Sequence, residues 1–154
     1  MFEEYTVNAR RVIFYARYEA GESGCCSIDT DHLLLGVLRE ANKIIAKYLG
    51  SIADYESIRE DITRQTPKRE KIPKSIDMQL TEDCKRVLGY AGEEAELLRD
   101  NYIRPEHLLL GLMREEKFVS ASLLHQRGLR ASVLREELAR ISAQSADKDG
   151  ETGT

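Results

Sequence analysis

The sequence contains no tryptophan, three prolines and three cysteines among its 154 residues. Three thiols, two of them adjacent at Cys25 and Cys26, cannot form a disulfide framework and lack the spacing of a metal site. No apolar run approaches the roughly eighteen residues that a membrane-spanning helix needs. Residues 1–5 are acidic, where a secretory signal would be basic and then apolar. We therefore expect reduced cysteines, no metal, no membrane association and a cytoplasmic protein.

Two further absences restrict the function. The pattern Gly-x-x-x-x-Gly-Lys-Ser/Thr, which holds nucleotide phosphates, does not occur in the sequence, so ATP binding of that kind is excluded and no cofactor is expected. The formal net charge is −4, which gives no general attraction for nucleic acid. Charged residues make up 32% and apolar residues 42% of the chain, a balance typical of a folded helical protein.

An acidic residue followed by His-Leu-Leu-Leu-Gly occurs twice in the chain. Asp31 and His32 begin the first copy, and Glu106 and His107 begin the second, 75 positions later (107 − 32 = 75). Without a gap, residues 6–49 and 81–124 share 17 identities in 44 positions, where unrelated stretches would share about two or three. The sequence thus predicts an internal tandem repeat.

Each repeat reads as four helices. Apolar residues recur every three or four positions after Thr6 and after Thr81, which predicts an amphipathic helix with the threonine as N-cap. The repeated motif predicts a second helix, capped at Asp29 or Arg104, that is buried on most sides because three consecutive leucines leave no polar face. The glycine inside it indicates a close helix contact. Shorter helices are expected at about 43–49 and 118–126 and at about 52–64 and 130–142.

The composition between and after the repeats sets the domain limits. Repeat 1 is placed at about 1–65, a basic linker at about 66–77 and repeat 2 at about 78–142. The linker has two prolines and dense positive charge, which excludes a helix. It is interpreted as a solvated connector, with contact to nucleic acid or an acidic surface as the alternative. Residues 143–154 have nothing to bury and are predicted to be a disordered polar tail.

The paired capping threonines, the two motif copies and the Arg-Glu that follows each of them resemble the N-terminal repeat domain of Clp-type AAA+ unfoldases, of the ClpA and ClpC kind. The resemblance covers residues 1 to about 142. It implies an all-α domain of eight helices in two pseudo-twofold-related four-helix repeats. It also implies a non-enzymatic module that receives substrate proteins, degrons or adaptors for an unfoldase that feeds a protease. The start and the polar ending of the chain favour a stand-alone protein of this family.

The resemblance also implies a binding site. In relatives of the ClpC kind, the acidic residue of the motif and the capping threonine are implicated in recognising phosphorylated arginine on client proteins. This makes Thr6, Asp31, Thr81 and Glu106 candidate residues. The chemistry is suitable, because a carboxylate can accept two parallel hydrogen bonds from a guanidinium, while a hydroxyl and free amides at a helix start suit a phosphate.

The two copies depart from the family's usual Gly-Thr-Glu-His. Asp29 in the first copy would repel a phosphate, whereas Arg104 in the second would attract it. Arg104 is therefore a fifth candidate. We expect the better pocket to consist of Thr81, Arg104 and Glu106, with the groove between the repeats as the wider contact surface.

His32 and His107 leave an enzymatic alternative open. A His-dependent hydrolase would need a nucleophile, and no Ser or Cys recurs with the two histidines. A buried imidazole that makes a hydrogen bond inside its own repeat explains both copies. The nearer alternative to an unfoldase accessory is a protein-interaction domain without any link to an unfoldase.

Overall fold

The computed structural model describes residues 4–151 of the chain, with side chains described up to residue 144. This part contains eight helices and one two-stranded sheet. The helices of the first repeat are α1 Val7–Glu22, α2 Thr30–Arg39, α3 Lys43–Leu49 and α4 Tyr55–Gln65. Those of the second are α5 Glu82–Leu97, α6 Pro105–Leu112, α7 Val119–His125 and α8 Ala131–Glu151. The prediction of an all-α fold with four helices in each repeat is confirmed.

Both repeats begin with the same helix start. The side chain of Thr6 accepts a hydrogen bond from the amide of Ala9 at 3.2 Å, and the side chain of Thr81 accepts one from the amide of Cys84 at 3.1 Å. Each threonine thus satisfies one of the amides that a helix N-terminus leaves without an intrahelical partner. The threonine N-caps predicted from the repeat are confirmed.

The helix that carries the motif packs closely against the first helix of its own repeat. A Cβ added at Gly36 would overlap the carbonyl of Val12, and one added at Gly111 would lie 2.7 Å from the carbonyl oxygen of Val87. The leucines of both motif copies are almost entirely buried. These contacts join α1 to α2 and α5 to α6, and they confirm the close approach that the two glycines indicated.

Two short backbone pairings, absent from the sequence-based expectations, connect the repeats. Strand β1, Ser27–Ile28, pairs in parallel with β2, Gln79–Leu80. A parallel bridge joins Tyr5 to Ile103 at the corresponding positions of the other half. The residues before each threonine-capped helix therefore lie beside the start of the motif helix in the other repeat.

The linker is not helical, as predicted, but it is attached to the protein surface. The amide of Ile72 donates to the carbonyl of Gly21 at 2.9 Å. The Arg17 guanidinium donates to the carbonyls of Pro73 and Ile76 at 2.9 and 2.7 Å. The linker therefore runs along the C-terminal half of α1.

The prediction of a disordered tail from residue 143 is wrong for its first part, because α8 continues to Glu151. Residues 143–149 contain no glycine or proline, so the backbone can extend the preceding helix without a break. Residues 152–154 lie outside the described residues. No helix within residues 4–151 is long and apolar enough to cross a membrane.

Candidate functional site

The five candidate residues lie at two helix starts, but their grouping differs from the prediction. The Thr6 hydroxyl donates to the carbonyl of Ile103 at 3.4 Å, next to Arg104 at the start of α6. The Thr81 hydroxyl donates to Oδ1 of Asp29 at 3.0 Å, at the start of α2. The hydroxyl contacts therefore group Thr81 with the first motif copy and Thr6 with the second, whereas the prediction grouped Thr81 with Arg104 and Glu106. Each threonine is paired with the motif of the other repeat, because the two backbone pairings cross between the repeats.

Glu106 and Arg104 are the charged candidate residues at the start of α6, the second of the two helix starts. The Glu106 side chain is 5% exposed, and its Oε1 accepts a hydrogen bond from Nδ2 of Asn42 at 2.7 Å. Arg104 is exposed, and its Nε donates to Oδ2 of Asp100 at 2.8 Å. Burial alone would raise the pKa of Asp100, but the hydrogen bonds from Arg104 and from the Tyr102 amide, together with the nearby positive charge of Arg104, outweigh it and hold the pKa below its usual range. The Asp100 carboxylate therefore keeps its charge and orients the arginine.

A groove of about 670 Å³ opens beside these two side chains. Arg104, Glu106 and Asp100 supply its polar part, and Leu138 and Ile141 of α8 are among its apolar walls. Ile44 of α3 also lines it, so the groove lies between elements of both repeats. It combines charged groups that can fix a ligand with apolar surface that can bury one, the usual composition of a binding site.

The first helix start is acidic instead. Asp29 accepts hydrogen bonds at Oδ1 from the amide of Thr30 at 2.8 Å and from Thr81. Burial, together with the negative charge of Asp29, raises the pKa of Asp31, although the neighbouring His32 opposes this. The position corresponding to Asn42 is Lys117, whose Nζ lies 3.7 Å from Asp83 and 3.9 Å from Glu115. The two helix starts have therefore diverged in charge within one chain.

The histidines of the motif have a structural role. Nδ1 of His32 accepts a hydrogen bond from the Asp29 amide at 3.0 Å, and Nδ1 of His107 accepts one from the Arg104 amide at 2.9 Å. Both rings are almost fully buried. Each histidine occupies the third helical position and accepts from there the hydrogen bond of the N-cap amide, which Glu or Gln usually accepts in a capping box. The prediction of a hydrogen-bonded buried imidazole in each repeat is confirmed.

This capping predicts a pH effect on stability. Burial lowers the pKa of His107, in spite of the negative charges of Asp100 and Glu106. The folded protein therefore binds a proton at His107 less readily than the unfolded chain does. The stability that comes from the neutral ring is complete above the unfolded pKa of about 6.5 and is lost as the pH falls below it. His107→Gln should keep the cap and show less loss of stability between about pH 7 and pH 5 in urea unfolding. An unchanged pH dependence would contradict this role.

The described residues give no support to a metal or thiol site. Within them, no group of three or more His, Cys, Asp or Glu side chains could hold a metal ion. Cys84 is fully buried in the core, and burial raises its pKa to about 12. Cys25 is half-buried and Cys26 is exposed, in the loop between α1 and β1. Cys84 thus packs as a small core residue.

Sequence reasoning missed two residues of the second helix start, Asn42 and Asp100. The position of Asn42 just before the helix predicted at 43–49 is typical of an N-cap, and its Oδ1 does accept a hydrogen bond from the Ile45 amide at 2.9 Å. Its contact with Glu106, 64 positions away, left no local pattern. Asp100 precedes Arg104 by one helical turn, but the two residues lie outside a helix, so their spacing predicted nothing.

Comparison with known proteins agrees with this architecture. The sequence model of the Clp repeat (R) N-terminal domain matches residues 4–127. The chain belongs to this family. The chaperone protein ClpC of pea (Pisum sativum) chloroplasts is 35% identical over 148 residues, which cover 96% of this chain and 16% of that protein. The chaperone protein ClpB of Oceanobacillus iheyensis is 30% identical over 154 residues, or 99% of this chain and 19% of that protein. The chain thus spans less than a fifth of the length of these relatives.

Solved structures of Clp N-domains have the same fold. The N-terminal domain of ClpD from Arabidopsis thaliana superposes with a TM-score of 0.72 at 26% identity, and the match covers 94% of this chain and 97% of that one. The N-domain of ClpV in complex with a VipB peptide superposes with a TM-score of 0.71 at 15% identity, covering 92% of this chain and 89% of that one. The double Clp repeat that the motif predicted is therefore confirmed, with its two pseudo-twofold-related halves.

Proposed function

We propose that this chain is a non-enzymatic docking module that receives segments of substrate or adaptor proteins for a Clp-type AAA+ unfoldase. The observation that carries the proposal is the groove between the repeats, where Arg104 and Glu106 lie beside apolar walls from α3 and α8. Membership of the Clp repeat family and the relatives named as Clp chaperones support it. The ClpV N-domain, which shares this fold, has been solved with a bound peptide.

Phosphorylated arginine is the ligand that this proposal assigns to the second helix start. The Arg104 guanidinium supplies positive charge for a phosphate, and the Glu106 carboxylate can accept hydrogen bonds from the guanidinium of the ligand. Asn42 already holds Glu106 in position at 2.7 Å. Thr6 replaces Thr81 as the hydroxyl on this side, since it lies beside Ile103. The proposed site therefore consists of Thr6, Arg104 and Glu106.

The acidic start of α2 is the weaker candidate for a phosphorylated ligand. Asp29 and Asp31 lie there together, and each would repel a phosphate. Thr81 already donates its hydroxyl to Asp29. Asp31 therefore provides a matched control for Glu106. Its carboxylate occupies the position of Glu106 in the other repeat, but it has no arginine as its neighbour at the helix start.

A calorimetric titration with a phosphoarginine peptide tests this assignment. We expect binding that is at least about tenfold weaker after Arg104→Ala or Glu106→Ala, because each change removes a charged hydrogen-bonding group, worth roughly 1.5–3 kcal/mol. The same peptide with plain arginine should bind more weakly than the phosphorylated one. Asp31→Asn should leave the affinity unchanged or increase it, since it removes a repelling charge.

Two kinds of result would contradict these proposals. Absence of binding, or binding that Glu106→Ala does not affect, would contradict the phosphoarginine assignment. A separate co-purification with the chain as bait tests the wider proposal. Recovery of an AAA+ unfoldase or its adaptors supports the unfoldase link, and their absence favours a protein-interaction domain without that link.

A further inference from the structure

The outward face of α1 carries large apolar side chains that the core does not use. Val7, Phe14 and Tyr18 lie on one side of the helix at spacings of seven and four residues, and Phe14 is 67% exposed. Among the described aromatic residues, the ring of Phe14 packs edge-on against Tyr15, with ring centroids 5.8 Å apart. Isolated exposed apolar residues are ordinary, but a row along one helix face is typical of an interaction surface.

Positive charge surrounds this row. The Arg17 guanidinium donates hydrogen bonds to the carbonyls of Pro73 and Ile76, which are neutral groups and do not form an ion pair with it. Nζ of Lys74 lies 5.9 Å from the centre of the Tyr18 ring, and the guanidinium of Arg39, at the end of α2, lies 5.1 Å from the same centre. The linker therefore places a lysine beside the exposed tyrosine. A basic and aromatic face stands out on a chain whose formal charge is −4.

Two acidic side chains beside α1, Glu22 and Glu40, form ion pairs. Oε1 of Glu40 lies 3.2 Å from Nη1 of Arg11, and Oε2 of Glu22 lies 2.8 Å from Nζ of Lys71. These ion pairs fix the carboxylates at the borders of the face. The centre of the face, around Phe14 and Tyr18, is left with positive charge from Arg17 and Lys74.

The second repeat shows that the fold does not require these side chains. At the positions of Phe14, Arg17 and Tyr18, helix α5 has Gly89, Gly92 and Glu93. α5 nevertheless has the same length as α1 and packs in the same way against its motif helix. A Cβ added at Gly89 would meet no atom within 4 Å. Packing and helix formation thus leave the aromatic side chains of Phe14 and Tyr18 unexplained, whereas Arg17 also attaches the linker to α1.

We propose that this α1 face, defined by Val7, Phe14, Arg17, Tyr18 and Lys74, docks an acidic segment of a partner protein that carries apolar anchor residues. Phenylalanine, tyrosine and arginine are enriched where protein interfaces concentrate their binding energy. Positive charge on the face complements glutamate or aspartate on the segment and increases the rate of encounter. The apolar row of the face lies along one helix, with Lys74 of the linker beside it, which suits a second amphipathic helix. It is separate from the groove at Glu106.

A binding measurement by fluorescence anisotropy tests this docking surface. The probe is a labelled peptide with leucine and phenylalanine at i, i+3, i+4 and i+7 and glutamates elsewhere. A scrambled peptide of the same composition and a version with lysine in place of glutamate are the comparison probes. We expect the acidic amphipathic peptide to bind, the scrambled and basic peptides to bind at least about tenfold more weakly, and added salt to weaken the binding.

Variants connect the binding to the face. Phe14→Ala with Tyr18→Glu, the latter introducing the residue type that repeat 2 has, should weaken the acidic peptide at least about tenfold. Leu97→Ala is the matched control, because Leu97 on α5 is 72% exposed and lies outside the face. Equal binding of the scrambled peptide, or equal losses in both variants, would overturn the proposal. Tighter binding to vesicles of anionic lipid or to RNA than to the peptide would overturn it as well. Phosphoarginine binding should be unchanged in the α1 variant.

Discussion

Replacing Gly36 with alanine is expected to lower the free energy of unfolding by about 3 kcal/mol, the upper end of the usual cost of overpacking. The added Cβ would overlap the Val12 carbonyl, and the backbone of α1 cannot move away without separating it from the leucines of α2. Urea unfolding followed by far-ultraviolet circular dichroism gives the measurement. Gly111→Ala, whose Cβ would lie 2.7 Å from the Val87 carbonyl oxygen, should produce a smaller loss in the same direction.

A third glycine in a helix provides the control. Gly89 lies inside α5 with no atom within 4 Å of an added Cβ. Gly89→Ala should therefore stabilise the protein by roughly 0.5–1 kcal/mol through helix propensity alone. If all three alanine variants had the same stability, the close helix contact at the motif glycines would not exist. If Gly36→Ala does not fold, Gly111→Ala still provides the comparison with Gly89→Ala.

Removing Arg135 is expected to cost about 3 kcal/mol, because it takes a partner from a buried carboxylate. Glu94 on α5 is 1% exposed. Its Oε1 accepts hydrogen bonds from Arg135 Nη2 at 2.7 Å and from Arg114 Nε at 3.0 Å. Arg135→Ala leaves Arg114 as the remaining partner of this carboxylate. Urea unfolding of the variant at neutral pH measures the loss.

The first repeat contains a matched control for this ion pair. Arg59 corresponds to Arg135, but its Nε lies 3.8 Å from Oε2 of Glu19, and its side chain is 49% exposed. The hydroxyl of Tyr55 hydrogen-bonds the same carboxylate. Arg59→Ala should therefore cost less than about 1 kcal/mol, as for an exposed ion pair. Equal losses in the two variants would contradict the different roles assigned to these arginines.

The Glu94 carboxylate also makes the stability of the protein depend on pH. Burial alone would raise the pKa of Glu94, but the hydrogen bonds from Arg135 and Arg114 outweigh it and hold the pKa below its usual range. The contribution of the pair is present above the unfolded pKa of about 4.3 and is lost as the pH falls below it. Glu94→Gln should remove this part of the acid destabilisation between about pH 5 and pH 3. Parallel curves for the two proteins would contradict it.

The repeat made most of the fold predictable. The threonine caps, the start of α6 at Pro105 and the close contacts at Gly36 and Gly111 each depend on residues that lie within a few positions of one another or recur 75 positions later. The extension of α8 beyond residue 142 was missed, because a polar composition does not by itself prevent a helix from continuing. The two short strands were missed because two residues are too few for an alternating pattern.

The chain alone determined that two copies of one four-helix unit share a core, since periodicity and capping are local properties. Only the tertiary structure decided which residues meet. It placed Thr6 beside Ile103 and Thr81 beside Asp29, opposite to the expected grouping, and it joined Asn42 to Glu106. These contacts cross between repeats over more than 50 positions. Their partners are set by how the two units pair through β1 and β2, a relation that no spacing within one repeat encodes.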